Sequence, residues 1–179
     1  MKNTENELIT KAIKAIDKNG YQNLSLRKLT QSIGLTTGAF YKHFENKTIL
    51  YQKVTSEISK EFIDHAKIDD SLPAQEQILQ IADDFVKQIK IHPNIMNFLF
   101  FNEEAVFALT KDSASYPFLK KIRTLIEQLN LKSGVSKQDF FIQIWSFIQG
   151  YAFLIKNGVT DYDPALVRTT LKQMMKKEK

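Results

Sequence analysis

Leu26-Arg27-Lys28-Leu29-Thr30-Gln31-Ser32-Ile33-Gly34-Leu35-Thr36-Thr37-Gly38-Ala39-Phe40-Tyr41-Lys42-His43-Phe44-Glu45-Asn46-Lys47 is the stretch whose reading decides the fold. Leu26, Leu29 and Ile33 recur at the spacing of one helix face, and Ser25 stands before them as an N-cap. Leu24 ahead of that cap and Leu29 inside it are placed for a hydrophobic staple. The segment stops at Gly34. A second begins almost at once, with Thr36 as N-cap, Leu35 and Phe40 as a second staple, and Phe40 and Phe44 inward at i, i+4. This second helix ends near Glu45 and is too short to be stable alone, so its two phenylalanines must hold it against its neighbours. Two short helices meeting at a glycine turn form a helix-turn-helix, the glycine letting the chain reverse without a Cβ clash.

The face left outward is Thr36, Thr37, Gly38, Tyr41, Lys42 and His43. Small residues at its start let the backbone approach a groove floor. Thr37 offers a hydroxyl to a base edge or a methyl to thymine, and Tyr41 reaches a phosphate or a base. Lys42 and Lys47 neutralise phosphates, and the amides that open the next helix after Asn46 suit a phosphate oxygen. Arg27 and Lys28 extend the basic rim. The bland readings are a tyrosine capping a small core and solvated surface charges, and for Arg27 the two readings weigh about equally.

Outward from this stretch, helical spacing continues and strand-like alternation is hard to find, so the fold class expected is all-α. A first helix runs from about Asn6 to Lys18, with Leu8, Ile9, Ala12, Ile13 and Ile16 as its stripe and Gly20 as its stop. A fourth starts after Asn46, carries Leu50, Val54, Ile58 and Phe62 on one face, and ends near Lys67. Further helices are expected over about Ala74 to Ile91 between Pro73 and Pro93, Asn94 to Phe101, Glu103 to Thr110, Tyr116 to Leu131, Lys137 to Asn157 and Pro164 to Lys176. Asp163-Pro164 opens the last as N-cap and N1, and Gly158 closes the one before it. The division expected is a helix-turn-helix head over 1–50 and a helical body over 51–179.

Composition bounds the function. Of a net charge of +5, residues 1–60 hold ten Lys and Arg against five Asp and Glu, while 61–179 hold fifteen of each. The whole excess therefore lies in the first third, which fits a polyanion contact there or a plain solvated basic face. The chain has no cysteine, which excludes disulfides and thiolate metal sites and suits a reducing cytoplasm. No apolar run follows Met1, so no signal peptide is expected, and the densest apolar stretch, Ile95 to Phe101, falls far short of a membrane span. Glycine-rich phosphate loops, HExxH and Ser/His/acid sets are missing, and His43, His65 and His92 lie in different segments. An enzyme, a cofactor and a metal site are not expected. A helical interaction module with a degenerate head is the remaining alternative.

Residues 33–47, with the lead-in Gly20-Tyr21 and Leu24-Ser25-Leu26-Arg27, resemble the DNA-binding segment of the TetR family of bacterial transcriptional regulators. The resemblance covers about 7–55 without insertion. Thr30 stands where the family more often has alanine, and Phe40 where leucine is usual. It implies an all-α chain of about nine helices. Thr37, Gly38, Tyr41 and His43 would lie against the groove, with phosphate contacts by Tyr41 and Lys47. It also implies a homodimer formed by the last two helices and a small-molecule effector, most simply one that releases a repressor from a palindromic operator. Activation in place of repression stays open, as do the operator sequence, the regulated genes and the effector's identity.

In the body, Trp145 to Leu154 is similar to a motif in the penultimate helix of one subgroup of that family. Trp145, Ile148, Ala152 and Ile155 form one stripe there, and Phe141, Ile144, Phe147, Tyr151 and Leu154 another. Two stripes fit a helix buried on one side by its own chain and on the other by a partner, or the central helix of a monomer; on the first reading Trp145, Ile148, Ala152, Ile155 and Leu171 are the expected dimer residues. Of twenty aromatic residues, fifteen follow residue 60. Such clusters are usually core, yet they also line apolar pockets. The expected pocket takes a largely apolar ligand on Phe62, His65, Phe100, Phe107, Phe118, Trp145 and Gln149.

Overall fold

The computed structural model of the chain describes residues 2–103 and 116–176. Among them there are nine α-helices and no strand: α1 (Lys2–Asn19), α2 (Leu26–Gln31), α3 (Thr37–Phe40), α4 (Lys47–His65), α5 (Ala74–Ile91), α6 (Pro93–Phe101), α7 (Pro117–Glu127), α8 (Lys137–Lys156) and α9 (Pro164–Met175). A 3-10 turn over Tyr21–Asn23 joins α1 to α2. The fold class is the all-helical one expected. Phe107 and residues 104–110 of the helix expected there lie outside the described residues. None of the described helices is long and apolar enough to cross a membrane.

The described residues divide into two compact units, one of residues 2–61 with 92–103 and 116–117, the other of 62–91 with 118–176. The first is built on the α1 stripe. Leu8, Ile9, Ala12 and Ile16 meet Leu24 and Leu29, the stacked rings of Phe40 and Phe44, and Leu50, Tyr51, Val54 and Ile58 of α4. Ile95 and Phe98 of α6 close the same core, more than thirty residues further along the chain. Polar ties fix α6 in place. Asn94 Nδ2 donates to the Asp17 carbonyl at 2.8 Å, the Tyr21 hydroxyl to that of Phe101 at 3.2 Å, and the His92 ring lies 3.0 Å from the Asp17 carboxylate. The Tyr51 hydroxyl in turn donates to the Tyr21 carbonyl at 2.8 Å.

In the second unit α5 supplies Ile78, Leu79, Ile81, Phe85 and Val86, α7 supplies Leu119, Ile122, Leu125 and Ile126, and α9 supplies Val167, Leu171 and Met175. Phe140, Ile144, Ile148, Tyr151 and Ala152 of α8 are buried with them. Arg168 of α9 bridges two carboxylates of α5, Asp83 at 2.5 Å and Glu76 at 3.2 Å. Asp163 caps α9 through the Ala165 amide at 2.8 Å, with Pro164 just inside, and Ser136 caps α8 through Asp139. Gly158 closes α8 at φ 69°, a left-handed turn that glycine adopts without Cβ strain.

Candidate nucleic-acid interface and ligand cluster

Hydrogen bonds from local side chains build the head. Ser25 Oγ accepts from the Lys28 amide at 3.4 Å, and Thr36 Oγ1 from that of Ala39 at 3.2 Å. Asn46 Oδ1 accepts from the Ile49 amide at 3.0 Å. Each cap satisfies an amide that a helix start leaves without an intrahelical partner. Between the first two caps the chain reverses at Gly34, φ 72°. The Leu35 amide bonds back to the Thr30 carbonyl at 2.9 Å, and that of Gly34 to Gln31 at 3.1 Å. These paired bonds close a helix through a left-handed residue, which is why glycine stands there.

Thr30 is fully buried at this junction. Its hydroxyl donates within its own helix, to the carbonyls of Leu26 at 3.0 Å and Arg27 at 3.1 Å, so the polar atom that replaces a methyl is satisfied. The second helix of the motif is shorter than two turns. α3 is α-helical over Thr37–Phe40 and continues as hydrogen-bonded turns, the Lys42 amide reaching Ala39 at 3.2 Å and that of His43 reaching Phe40 at 2.9 Å. Two β-branched threonines and Gly38 are weak helix formers, so packing of Phe40 and Phe44, both essentially inaccessible, holds the segment.

With those rings inward, Thr36, Gly38, Tyr41 and Lys42 are exposed, and Thr37 and His43 are half-buried. Tyr41 is 56% exposed, its ring set edge-on against Phe40 at 5.2 Å, so a buried ring fixes its direction while its surface stays open. Arg27 and Lys28 are exposed at the start of α2. Lys47 is held differently from a free surface lysine. Its ammonium donates to the Leu24 carbonyl at 3.0 Å and lies 5.1 Å from the Tyr51 ring centroid. This partial burial lowers its pKa. An ammonium carries three donors, so the Leu24 bond orients Lys47 without using it up. Burial, and then the neighbouring Tyr21, pushes the Tyr51 phenol up to about 12.

The second unit brings together Phe62, Phe118 and Trp145 of the residues expected at a ligand. Phe62 meets Phe118 edge-on at 5.1 Å. Phe85 of α5, one apolar position among several in that helix, joins them: it stacks on Phe118 at 4.8 Å, meets Phe62 at 5.2 Å and lies 6.2 Å from Trp145. Phe141 continues the run, parallel to Trp145 at 6.1 Å, and the Arg123 guanidinium lies over its ring at 4.1 Å. His65 is exposed as the last residue of α4, and Gln149 is half-buried on α8. Phe100 is buried in the first unit beside Phe101. The apolar period of α5 marks Phe85 as inward; only the tertiary packing shows what it touches.

The expected dimer residues divide. Ile148, Ala152 and Leu171 are at most 4% exposed within the single chain, so they serve its own core, and Trp145 and Ile155 are half-buried. The face of α8 that points out carries Ile142, Ser146, Gly150, Phe153 and Leu154, and Leu166 is exposed on α9. An α8 that is apolar around most of its girth offers more than one stripe, and periodicity cannot say which stripe its own chain takes.

Residues 8–54 match the family model of bacterial regulatory proteins, tetR family. Over 81 residues the chain is 31% identical to an HTH-type transcriptional regulator of Staphylococcus aureus (strain USA300), which is 45% of this chain and 44% of that protein. The chain thus spans less than half the length of the curated relatives it matches. Among solved structures it resembles BioQ, crystallised with its natural double-stranded DNA operator, with a TM-score of 0.65 at 18% identity over 94% of this chain and 95% of that one. It also resembles the fatty acid degradation regulator FadR of Bacillus halodurans, with a TM-score of 0.64 at 15% identity over 96% and 93%. At such identities the likeness is one of fold.

Proposed function

We propose, on the premise that this chain belongs to the TetR family of bacterial regulatory proteins, that it is a sequence-specific repressor that binds a palindromic operator as a homodimer and leaves it when a small, largely apolar ligand binds. The observation that carries the reading is the two-faced recognition segment. Phe40 and Phe44 are sealed inside while Thr36, Gly38, Tyr41 and Lys42 face out, with Thr37 and His43 at their edge. Small residues at the start of α3 admit the backbone to a major groove, Tyr41 and Thr37 reach base edges or phosphates, and Lys42, Lys47 and Arg27 neutralise phosphates.

The dimer is proposed through α8 and α9, on the exposed face of Ile142, Phe153, Leu154 and Leu166. One such head reads a few base pairs, and two joined across a two-fold axis read half-sites about 34 Å apart. The ligand is proposed to lie against Phe62, Phe85, Phe118 and Trp145. The continuous helix α4 runs from the recognition segment to Phe62. A ligand that prefers one tilt of α4 changes the spacing of the two heads, and it releases DNA only to the extent of that preference.

The test is fluorescence anisotropy with DNA flanking the protein's own gene, under excess unrelated competitor, for wild type and Tyr41→Ala. Competitor-resistant binding that weakens steeply with salt and collapses in the variant is the expected result. Selection from a random-sequence pool covers a target elsewhere in the genome, and a pool that yields no enriched palindrome overturns the proposal.

A further inference from the structure

We propose that the aromatic cluster of the second unit takes an organic oxyanion, an apolar or aromatic body ending in a carboxylate or sulfonate, and that Arg123 is the residue that binds its charge. This rests on the ligand-responsive reading above and names the ligand class. The guanidinium lies flat over Phe141 at 4.1 Å, and Phe141 is parallel to Trp145, which leads on to Phe85 and Phe118. The cation therefore stands at the end of a run of rings.

Its hydrogen bonding is one-sided. Nη1 donates to Gln138 Oε1 at 2.6 Å, while Nε is buried without a partner, and Nη2 has none among the described residues. Nε and Nη2 form one edge of the guanidinium, the parallel pair of donors that a carboxylate accepts with both oxygens. Arg168 of this unit is paired with Asp83 and Glu76, Lys121 with Asp70 at 2.7 Å and Lys172 with Glu76, while Lys137 donates to backbone carbonyls. Arg123 has a neutral amide and a ring.

A buried donor left unmade is costly, and costlier when it belongs to a cation, so the arrangement gains most from an incoming anion. Stacking on Phe141 and the Gln138 bond fix the fork beforehand, so little side-chain freedom is lost on binding. A neutral apolar ligand would fill the aromatic wall and leave Nε unmade, and a cationic one would meet like charge.

Trp145 is the single tryptophan, so its fluorescence reports on this cluster in the full chain. Two probes of one skeleton isolate the charge: 8-anilinonaphthalene-1-sulfonate and neutral N-phenyl-1-naphthylamine, each titrated by energy transfer from Trp145. Wild type is expected to bind the sulfonate about tenfold or more tightly than the amine, as a charge-assisted pair implies. Arg123→Gln abolishes that preference and leaves amine binding within about twofold, which also shows that the variant is folded, while Arg123→Lys keeps charge without the fork and falls between. Equal affinity for the two probes in wild type, a preference that survives Arg123→Gln, or no binding of either probe overturns the proposal. Operator binding by the wild-type protein, set beside its own probe titrations, separates the two readings. Operator binding without sulfonate preference defeats the anion site alone, and Arg123-dependent sulfonate binding without any operator defeats the regulator alone.

Discussion

Gly150→Ala sets two effects of one methyl group against each other. Gly150 lies in the middle of α8, exposed, without a positive φ, and a Cβ built there meets nothing within 4 Å. In the isolated chain the change is therefore a plain gain. Glycine inside a helix costs roughly 0.5–1 kcal/mol relative to alanine. For a chain of this size that gain raises the melting temperature by about 1–4 °C. Gly150 is also flanked on its face by Ser146, Phe153 and Leu154, and Ile142 lies two turns away. If a second copy packs there, the small residue is where two helices approach closely, and an added methyl overpacks the seam. Overpacking costs about 1–3 kcal/mol per site, and a two-fold axis doubles it, so the dimer dissociation constant rises by on the order of thirtyfold or more. Sedimentation equilibrium over a concentration series measures that constant, and melting at low and high concentration separates chain stability from association. The expected variant is a more stable chain and a weaker dimer. A variant that melts higher and dimerises as wild type does would show that this face of α8 is ordinary solvent surface.

Lys42→Ala is expected to weaken binding to specific and unrelated DNA alike and to lower the slope of log affinity against log salt by about one per half-site, read from anisotropy at several salt concentrations. Tyr51→Phe removes the 2.8 Å bond to the Tyr21 carbonyl, at a cost of about 1 kcal/mol at neutral pH. With the folded phenol raised to about 12, the stability held by neutral Tyr51 is intact below pH 10 and is lost as pH rises from there through 12. The wild-type advantage over Tyr51→Phe in urea melts should therefore shrink across that window, and a constant difference would contradict the assignment. Arg168→Ala strands Asp83, whose side chain is only 17% exposed, and is expected to cost about 1–2 kcal/mol after allowance for the partly exposed arginine. Adding Asp83→Asn should recover part of that loss in the same denaturant titration.

Features set by neighbours in sequence are legible in the chain itself. Ser25, Thr36, Asn46 and Asp163 are named as caps by the few residues that follow each, and each accepts from an amide in the first turn of its helix. Phe40 and Phe44 are legible as inward for the same reason, since a helix one turn long leaves few ways to bury two rings. The stretch over 33–47 thereby carries both the fold of the head and the direction of its outward face. What resists reading is allegiance at a distance. The short helix α6 is apolar on all sides but the one that carries Asn94 and Asn97, and nothing local says that Ile95 and Phe98 complete the core around Phe40.

The same limit governs α8, where it bears on function. Trp145, Ile148, Ala152 and Ile155 are a regular stripe, yet Ile148 and Ala152 are taken by α8's own unit. The period of a helix gives the angle between its faces and not the direction in which either points. That direction is fixed by α5, α7 and α9 together, and once they occupy two sides Ile142 and Phe153 are left outside. Arg123 obeys the same logic. In sequence it is one more charge on an amphipathic helix beside Lys120 and Lys121, and nothing marks it off. Only the placement of Phe141 beneath it and of Gln138 at one of its nitrogens turns a solvated cation into an oriented, half-satisfied donor. A recognition surface built from one short segment is thus written where it can be read, whereas a ligand site or a dimer face drawn from three or four helices is decided by which residues the rest of the core leaves unused.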